Sequence, residues 1–541
     1  MKKQVISRTL LAMALSCLTA CGGCGKVADA GEECEPDRGS EACVEGYSCL
    51  ASGDTYVCSI PVGESCDLVG TDDYCEYGSS CVSVDGGGRC LYDRASGCDL
   101  DAAEDLCAPG LMCSPVQGGE PACFESVVLE GMVLDATDRA PIEGAQVIAL
   151  DDVASAVSDV AETDVAGYYE LPVLALRDAE GKPVEQYYTL RVGARDYQTF
   201  PGGLRTALPI DLSTAAKDDD SGVYRVNNAL TEVLLIPLPE SEQGRSTIYG
   251  RVIAPGQEAG VLVVVEVDGK GYSALSDKQG YFSVFNVPDG SAEVQGYKSE
   301  LQLDAEQVSV SGEDVVDVEL SESDQTTTDM LGTVDIVNAP GGSLTSVVLV
   351  VESTFNENFV RGEVPIGLRA PREGEPSISK QWSISGVPAG DYVVLAAFEN
   401  DNLVRDPDTN IAGTSIVRVS VEAGTASLDL SDSFKITEAL EVISPGADEA
   451  EAVTEKPMLR WVDDSSEDYY ELEVYNAYGE LVWESTIPNS QSDLSVAYEG
   501  PLEDGMYYQF RASSWRAPGG KNAAPISSTE DLKGVFYKPA P

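Results

Sequence analysis

Oxygen-bearing side chains gather in one acidic stretch of the chain, and such a stretch can hold a metal ion. Asp401, Asp406, Asp408 and Asn410 lie within ten residues of one another, and oxygen ligands at alternate positions can converge on one calcium ion. The complete EF-hand spacing is missing, because no glycine stands at the sixth position of the loop and no glutamate at the twelfth. An acidic, solvated turn is the favoured interpretation, and calcium is the one cofactor that the sequence suggests.

Histidine is absent from all 541 residues. This excludes Ser-His-Asp and Cys-His nucleophiles and every metal centre that needs an imidazole ligand. Two carboxylates can hydrolyse a glycoside, but among 92 acidic residues any pair can be found by eye. We therefore predict no catalytic residue and no enzyme, and an enzyme that uses carboxylates alone is a remote alternative.

Three aromatic residues are candidates for ligand binding, because pockets are often lined by aromatic rings. They are Trp382, Trp515 and Tyr197. A tryptophan on a strand packs in a core more often than it forms a ligand platform. Core packing is therefore the alternative for each of them.

The cysteines carry the strongest pattern in the sequence. All fifteen lie within the first 123 residues, and twelve form three sets with 8, 5 and 8 intervening residues in the first two sets and 8, 5 and 9 in the third. The sets are Cys34, Cys43, Cys49 and Cys58; Cys66, Cys75, Cys81 and Cys90; and Cys98, Cys107, Cys113 and Cys123. The sequence therefore predicts three modules, 34–58, 66–90 and 98–123.

Each module is too small for an apolar core of its own, so two disulfides per module are expected in an oxidising compartment. Four cysteines allow three pairings, and the sequence does not choose among them. Zinc is the alternative, but structural zinc sites usually contain cysteine pairs two to four residues apart, and these modules contain none. The spacing resembles short Dickkopf-like or EB-like cysteine-rich modules.

Composition limits the partners. The chain has 34 basic and 92 acidic residues, a formal net charge of −58, which repels phosphate backbones and argues against nucleic acid. The apolar share of 43% is ordinary for folded protein. The length suffices for several domains of about 100 residues each.

The N-terminus has the pattern of an export signal. Lys2 and Lys3 precede an apolar run at 10–18 that is too short to span a membrane. The Leu-Thr-Ala-Cys sequence that ends at Cys21 resembles the lipobox of bacterial lipoproteins, and an ordinary secretory signal is the alternative. The resemblance implies a signal peptide at 1–20, a lipidated linker at 21–33, and acyl chains on Cys21 that anchor the protein in the membrane. Gly22 follows the cysteine in place of aspartate, which implies the outer membrane, and Cys24 stays unassigned.

From residue 126 onward, Val, Ile, Tyr and Thr alternate with polar residues in short runs broken by Gly, Pro, Asp and Asn. This pattern predicts an all-β chain of tandem β-sandwiches. Gly131, Gly250 and Gly332 open three related stretches, and Asp164-Val-Ala-Gly-Tyr168 matches Asp277-Lys-Gln-Gly-Tyr281.

These stretches resemble the carboxypeptidase regulatory-like domain, a transthyretin-like (prealbumin-like) sandwich that overlaps with carbohydrate-binding-like folds. The resemblance implies sandwiches at 126–240 and 246–320 and a divergent repeat at 328–435. The third stretch lacks the Asp-x-x-Gly-Tyr turn and carries an insert at 355–379. Peptidases that accompany this domain bind zinc through histidines, so no peptidase activity is implied here.

The last stretch, 437–541, has a different pattern. Leu459 and Trp461 alternate with Arg460 as on a core strand, and the Asn-Ala-Tyr-Gly sequence at 476–479 predicts a hairpin turn. The strand at 507–512, with Tyr508 six residues after a leucine, resembles the tyrosine-corner strand of fibronectin type III (immunoglobulin-like) sandwiches.

Together these patterns predict a non-catalytic, lipid-anchored cell-surface protein of the outer membrane with an adhesive or structural role. A carbohydrate-binding surface lipoprotein is the alternative. The expected partners are the membrane, through the lipid, and a glycan or surface-protein ligand.

Overall fold

The computed structural model describes residues 27–68, 74–84, 86–100, 102, 104–219, 221–337, 344–372, 374, 376–396, 403–404, 416–430, 434–464, 467–488, 494–517, 523–530 and 532–540. Cys21, Cys24, the signal region and the four calcium candidates Asp401, Asp406, Asp408 and Asn410 lie outside these residues. The described part of the chain has no helix that is both long and apolar enough to cross a membrane.

The chain divides into two units. The first comprises Met1–Ser126 and Leu176–Lys182, and the second comprises Val127–Ala175 and Pro183–Pro541. The all-β prediction is confirmed, since the described residues form strands and four short 3₁₀ turns, at Pro36–Glu41, Leu212–Thr214, Glu240–Glu242 and Glu352–Thr354.

The first unit consists of small hairpins. Its strands are β1 (Ser48–Ser52), β2 (Thr55–Ser59), β3 (Ser65–Cys66), β4 (Ser79–Val84), β5 (Gly87–Tyr92), β6 (Leu111–Ser114) and β7 (Ala122–Glu125). Antiparallel pairs β1–β2, β4–β5 and β6–β7 form one hairpin per module, and β3 adds to β5.

Six disulfides cross-link the three modules, so the disulfide prediction is confirmed and the pairing is settled. In every module the first cysteine bonds to the third and the second to the fourth. The bonds are Cys34–Cys49, Cys43–Cys58, Cys66–Cys81, Cys75–Cys90, Cys98–Cys113 and Cys107–Cys123. Sulfurs bonded in pairs are not thiolates and cannot ligate zinc, although three of them lie close together in each module.

Backbone contacts repeat along with the disulfides. Ala28, Ile60 and Tyr92 each form a parallel bridge with the second cysteine of the module that follows them. These three residues stand 32 positions apart in the chain. Each module therefore begins several residues before its first cysteine, and the strand that leaves one module supplies the first bridge of the next.

The second unit contains four sandwiches. The first is built of β8 (Val127–Asp135), β9 (Gln146–Leu150), β10 (Ala161–Glu162), β11 (Tyr168–Val173), β12 (Tyr187–Gly193), β13 (Ile210–Asp211), β14 (Ala216–Lys217), β15 (Tyr224–Val226) and β16 (Val233–Leu235). The second is built of β17 (Ser246–Ile253), β18 (Leu262–Val267), β19 (Lys270–Leu275), β20 (Tyr281–Val287), β21 (Gly290–Tyr297), β22 (Glu306–Val310) and β23 (Val315–Ser321).

The third sandwich is built of β24 (Thr328–Val337), β25 (Val347–Val351), β26 (Arg369–Ala370), β27 (Gln381–Val387), β28 (Gly390–Ala396), β29 (Leu403–Val404), β30 (Val417–Val421), β31 (Ser427–Asp429) and β32 (Phe434–Glu438). The fourth is built of β33 (Val442–Ser444), β34 (Glu451–Ala452), β35 (Met458–Trp461), β36 (Tyr469–Asn476), β37 (Leu481–Pro488), β38 (Ser495–Ala497), β39 (Tyr507–Arg516), β40 (Ala524–Ser528) and β41 (Val535–Tyr537). The domain limits drawn from the sequence stay predictions.

The first three sandwiches share one topology. In each, the opening strand (β8, β17 or β24) pairs antiparallel with β11, β20 or β27 and parallel with the last strands of the same sandwich. The facing sheets follow the orders β10-β9-β12-β13, β19-β18-β21-β22 and β26-β25-β28-β30. The third stretch therefore keeps the connectivity of the other two although it lacks their turn motif.

The opening glycines have a shared structural cause. Each lies directly across from a large aromatic residue on the neighbouring strand, in the pairs Gly131–Tyr169, Gly250–Phe282 and Gly332–Trp382. A Cβ atom on Gly250 would lie 2.4 Å from Phe282 Cζ, and one on Gly332 would lie 2.3 Å from Trp382 Cζ2. The aromatic ring covers the glycine, as aromatic residues do for glycines in sheets.

The Asp-x-x-Gly-Tyr turns form as the sequence predicts. Asp164 Oδ1 accepts hydrogen bonds from the backbone N–H groups of Ala166 and Tyr168, at 2.8 and 3.0 Å. Asp277 Oδ1 accepts the equivalent pair, both at 2.9 Å. The glycine of each turn has a positive φ, 73° for Gly167 and 85° for Gly280, which favours glycine there.

The fourth sandwich pairs the sheet β33-β35-β38 with a larger sheet in the order β34-β41-β39-β36-β37. Leu459 and Trp461 are buried in its core, as the alternation predicts. The Tyr508 hydroxyl accepts a hydrogen bond from the Glu503 N–H at 3.0 Å, which ties the strand to the chain just upstream. This is the kind of bond found at a tyrosine corner, and the assignment to the fibronectin family stays a prediction.

Candidate functional site

All four sandwiches contribute to one cleft of about 450 Å³. The first sandwich supplies the end of β12 and the loop at 197–203, and the second supplies the start of β19. The insert at 354–363 comes from the third sandwich, and the hairpin turn at 477–480 comes from the fourth. The turn forms because the Asn476 side chain accepts hydrogen bonds from the N–H groups of Tyr478 and Glu480, both at 3.0 Å.

An ion pair between two sandwiches lies in the wall of this cleft. Arg191 donates two hydrogen bonds to Glu363, Nη2 to Oε1 at 2.9 Å and Nη1 to Oε2 at 3.1 Å. Ser273, from the second sandwich, donates to Glu363 Oε1 at 2.7 Å and accepts from Arg191 Nη2 at 3.0 Å. The side chain of Arg191 is 9% exposed and that of Glu363 is 29% exposed. Three sandwiches therefore meet at one partly buried polar cluster.

Glu363 is held in its ionised form. Burial by itself raises the pKa of this carboxyl group, but the charge of Arg191 and the hydrogen bonds from Arg191 and Ser273 outweigh burial and bring the pKa below its ordinary value. Both carboxylate oxygens accept hydrogen bonds from Arg191. The group is thus engaged in an ion pair and is not free to take a proton from a substrate.

Hydrogen bonds tie the fourth sandwich to the same cleft. Gln198 Nε2 donates to the carbonyl oxygen of Ala477 at 2.9 Å, and the Tyr478 hydroxyl donates to that of Pro237 at 2.8 Å. From the third sandwich, Asn358 Nδ2 donates to the carbonyl oxygen of Gly479 at 2.8 Å. The third also reaches the first, since Arg361 Nη1 donates to the Gly203 carbonyl oxygen at 2.6 Å.

Two cations lie beside one carboxylate in another part of the lining. Arg245 Nη1 is 3.4 Å from Glu242 Oε2, and Lys270 Nζ is 3.8 Å from the same oxygen. Both cations also approach the Tyr272 ring, with 6.0 Å from Arg245 Cζ and 5.5 Å from Lys270 Nζ to its centroid. These four residues are called the cation pair site below.

Tyr197 is the one of the three predicted ligand-binding residues that lines the cleft. It is half-buried, and its hydroxyl donates to Asp135 Oδ2 at 3.1 Å. Burial and, next, the charge of Asp135 raise the pKa of Tyr197 to about 12. The hydroxyl therefore stays protonated at neutral pH, and the prediction that Tyr197 binds a ligand stays a prediction.

The two tryptophans lie elsewhere. Trp382 is 4% exposed in the core of the third sandwich, so the expectation that its ring is exposed to a ligand is wrong. Its ring is buried because it covers Gly332, as Tyr169 and Phe282 cover the equivalent glycines. Trp515 is half-buried on β39 and stacks in parallel on Tyr469, with ring centroids 6.0 Å apart. Neither tryptophan lines the cleft.

Sequence reasoning missed the charged residues of the cleft. Arg191 and Glu363 are 172 positions apart, and no local pattern distinguishes either of them from the other charged residues of the β-rich stretches. The hairpin turn at 476–479 was the one local signal that pointed to part of the lining. A smaller cavity of about 220 Å³ shares Arg191 and Ser273 with the cleft and lies between the first and second sandwiches.

No protein-family model and no curated protein matches the chain. Among solved structures, the Bacillus anthracis TIE protein is similar at 11% identity over 74% of this chain and 68% of that one, with a TM-score of 0.14. GBS52, the minor pilin of Streptococcus agalactiae, is similar at 15% identity over 37% of this chain and 98% of its own, with a TM-score of 0.17. BcpA, the major pilin subunit of Bacillus cereus, is similar at 12% identity over 58% of this chain and 100% of its own, with a TM-score of 0.16. These TM-scores are too low for the likeness to support a function for this chain.

Proposed function

We propose that the protein is an exported, non-catalytic surface scaffold that is anchored in the outer membrane by lipid on Cys21. The observation that carries this proposal is the cluster of Arg191, Glu363 and Ser273, which joins three sandwiches through partly buried polar groups. The charged groups of this cluster form bonds that hold the sandwiches together. Such use suits a scaffold that presents a fixed surface, and it leaves no nucleophile and base poised for chemistry among these residues.

Export is supported by the cross-linked modules. Structural disulfides persist in the periplasm and on cell surfaces and are rare in the cytosol. Six of them cross-link the first unit, whose described residues form only small clusters of buried apolar side chains. The pattern at Cys21 supplies the anchor in this proposal, since several acyl chains on one residue bind a membrane stably.

Labelling with a clickable fatty acid tests the anchor. In a Gram-negative bacterial host, the wild-type protein should incorporate the label and sediment with the outer membrane. Cys21→Ala should lose the label and the membrane association, whereas the matched control Cys24→Ala should keep both. A Cys21→Ala protein that is still labelled and still sediments with membranes would exclude this anchor.

Carbohydrate binding is a second candidate function, and the cleft favours it. Its volume of about 450 Å³ lies within the range typical of ligand sites. Three tyrosines line it, Tyr197, Tyr272 and Tyr478, and their rings offer flat faces with polar edges. A glycan array probed with the purified full-length protein tests this function, with binding to a defined glycan class as the expected result and an array without signal as the result against it.

A further inference from the structure

The cation pair site has hydrogen-bonding capacity that the protein itself does not use. Lys270 Nζ is too far from Glu242 for a hydrogen bond, at 3.8 Å, and 59% of its side chain is exposed. Arg245 makes its two long hydrogen bonds, to Glu242 and to the Tyr272 hydroxyl, through Nη1 alone, each at 3.4 Å. Among the described residues, Nε and Nη2 of Arg245 have no hydrogen-bond partner. Both cations can therefore donate to an incoming anion.

Charge around the cleft differs from charge on the chain as a whole. Its lining contains four cationic and three acidic residues, whereas the whole chain has 34 and 92. Glu363 is neutralised by Arg191, and Glu242 is the one carboxylate that the two cations of the cation pair site share. An anion that entered the cleft would meet local cations, although the rest of the protein would repel it.

We propose that the cleft binds an acidic saccharide, whose sugar carboxylate is held by Arg245 and Lys270. The proposal rests on carbohydrate binding at the cleft and names the class of sugar. Guanidinium and ammonium groups form charge-assisted hydrogen bonds with carboxylates, which are roughly twice as strong as bonds between neutral groups. The tyrosine rings nearby favour a saccharide over an acidic peptide, because a sugar presents apolar ring faces next to its charge. The carboxylate would displace Glu242 as the partner of both cations.

Trigalacturonic acid and its methyl ester are the probes, because they share rings and linkages and differ in charge. Calorimetric titration of the purified full-length protein should show binding of the acid at least about tenfold tighter than binding of the ester. The affinity for the acid should fall as sodium chloride is raised, since salt screens an exposed charge pair.

Single substitutions distinguish a role of these residues in binding from a role in stabilising the fold. Lys270→Gln and Arg245→Gln should each weaken binding of trigalacturonic acid by about tenfold or more. Lys278→Gln makes the same charge change at an exposed position of the same sandwich that does not line the cleft, and it should leave the affinity unchanged. Glu242→Gln should tighten binding, because it removes the carboxylate that competes for both cations. A merely structural role of Glu242 would not produce that gain.

The outcomes distinguish this inference from the function on which it rests. Equal binding of the acid and the ester would overturn the acidic specificity and leave carbohydrate binding in place. Absence of binding to both, together with a glycan array without signal, would overturn both. Hexaglutamate that binds as tightly as trigalacturonic acid, with the same response to Lys270→Gln, would show an acidic peptide site and overturn the choice of a saccharide.

Discussion

At the scale of the residue, the Arg191–Glu363 ion pair is one of the contacts that join the first and third sandwiches. Charges moved out of water lose hydration, and the pair recovers this loss through two direct hydrogen bonds and a third from Ser273 to the carboxylate. The intact pair therefore contributes little to the net free energy of unfolding. Its removal from one side is costly, because the partner charge is left partly buried without compensation.

We predict that Glu363→Gln lowers the free energy of unfolding by about 2–3 kcal/mol, less than for a fully buried pair because Glu363 is partly exposed. Glu319→Gln is the matched control, since Glu319 is exposed on β23, and it should change stability by less than about 0.5 kcal/mol. Urea unfolding followed by fluorescence measures both. Equal effects of the two substitutions would contradict this account of the pair.

The contribution of Glu363 should also depend on pH. The pKa of Glu363 is lower in the folded protein than its ordinary value of 4.5, so the unfolded chain takes up a proton first as the pH falls. The stability difference between wild type and Glu363→Gln should be fully present above about pH 4.5 and should disappear as the pH falls through the lowered pKa. Unfolding curves at pH 7, 5, 4 and 3 measure this, and a difference that grows on acidification would contradict the direction of the shift.

At the scale of the element, the pairing of a glycine with an aromatic ring is the feature that the first three sandwiches share. The same pair occupies the same cross-strand position in each, with Tyr169, Phe282 or Trp382 as the ring. At Gly131 and Gly250 the backbone also needs glycine because a carbonyl oxygen lies close, that of Thr231 at 2.0 Å from a Cβ built on Gly131 and that of Val318 at 2.3 Å from one built on Gly250.

Gly250→Ala should therefore destabilise the second unit by about 2–3 kcal/mol, as overpacking a well-filled site does. The added methyl group would meet the Val318 carbonyl oxygen at 2.3 Å and the Phe282 ring at 2.4 Å. Gly87→Ala is the control, because a Cβ on that strand glycine finds its nearest atom at 3.9 Å. Thermal unfolding of the two variants should show a lowered midpoint for the first alone, and an unchanged midpoint for Gly250→Ala would contradict the close approach.

Turns, hairpins and disulfide modules could be predicted from the sequence, because each depends on residues close together in the chain. The Asp164 and Asp277 turns, the hairpin at Asn476 and the cysteine spacing all depend on residues within a few positions of one another. The pairing of Gly131, Gly250 and Gly332 with aromatic residues could not be predicted in this way, because the two residues of each pair lie on different strands and more than 30 positions apart. For Trp382, the sequence leaves ligand binding and core packing open, and the buried ring agrees with core packing.

Each disulfide closes a loop of about fifteen residues, and the two bonds of a module overlap along the chain. Removal of one bond leaves the other loop closed, but the residues that lie only in the opened loop lose their cross-link. We predict that the double variant Cys75→Ser, Cys90→Ser loses about 3 kcal/mol of stability in the first unit, from loop-closure entropy. Denaturant unfolding under non-reducing conditions measures the loss, and mass mapping of the remaining bonds checks that Cys66–Cys81 is kept. An unchanged unfolding curve would contradict the estimate.

At the scale of the whole molecule, the two units are stabilised by different means. The first depends on six cross-links and has small apolar clusters, whereas the second contains large apolar cores and no cysteine. Arrangement within the second unit could not be predicted, because its sandwiches are joined by residues far apart in the chain, such as Ser273 and Glu363, 90 positions apart, and Arg191 and Glu363, 172 positions apart. No periodic pattern along the chain encodes such contacts.

Reduction should therefore affect the units differently. Scanning calorimetry of the purified protein should show a transition that disappears in about 10 mM dithiothreitol, since small modules do not fold without their cross-links. A transition from the second unit should persist, because its cores contain no sulfur bonds. Loss of every transition on reduction would show that the sandwiches also depend on the disulfides.

The regular bridges made by Ala28, Ile60 and Tyr92 have a consequence for how this chain can change over generations. Each module closes its own sulfur bonds and passes an identical backbone contact to its successor. Duplication or loss of one 32-residue stretch would therefore leave the disulfides and the bridge of each remaining module in place. The number of modules can therefore change during evolution by one complete 32-residue module at a time.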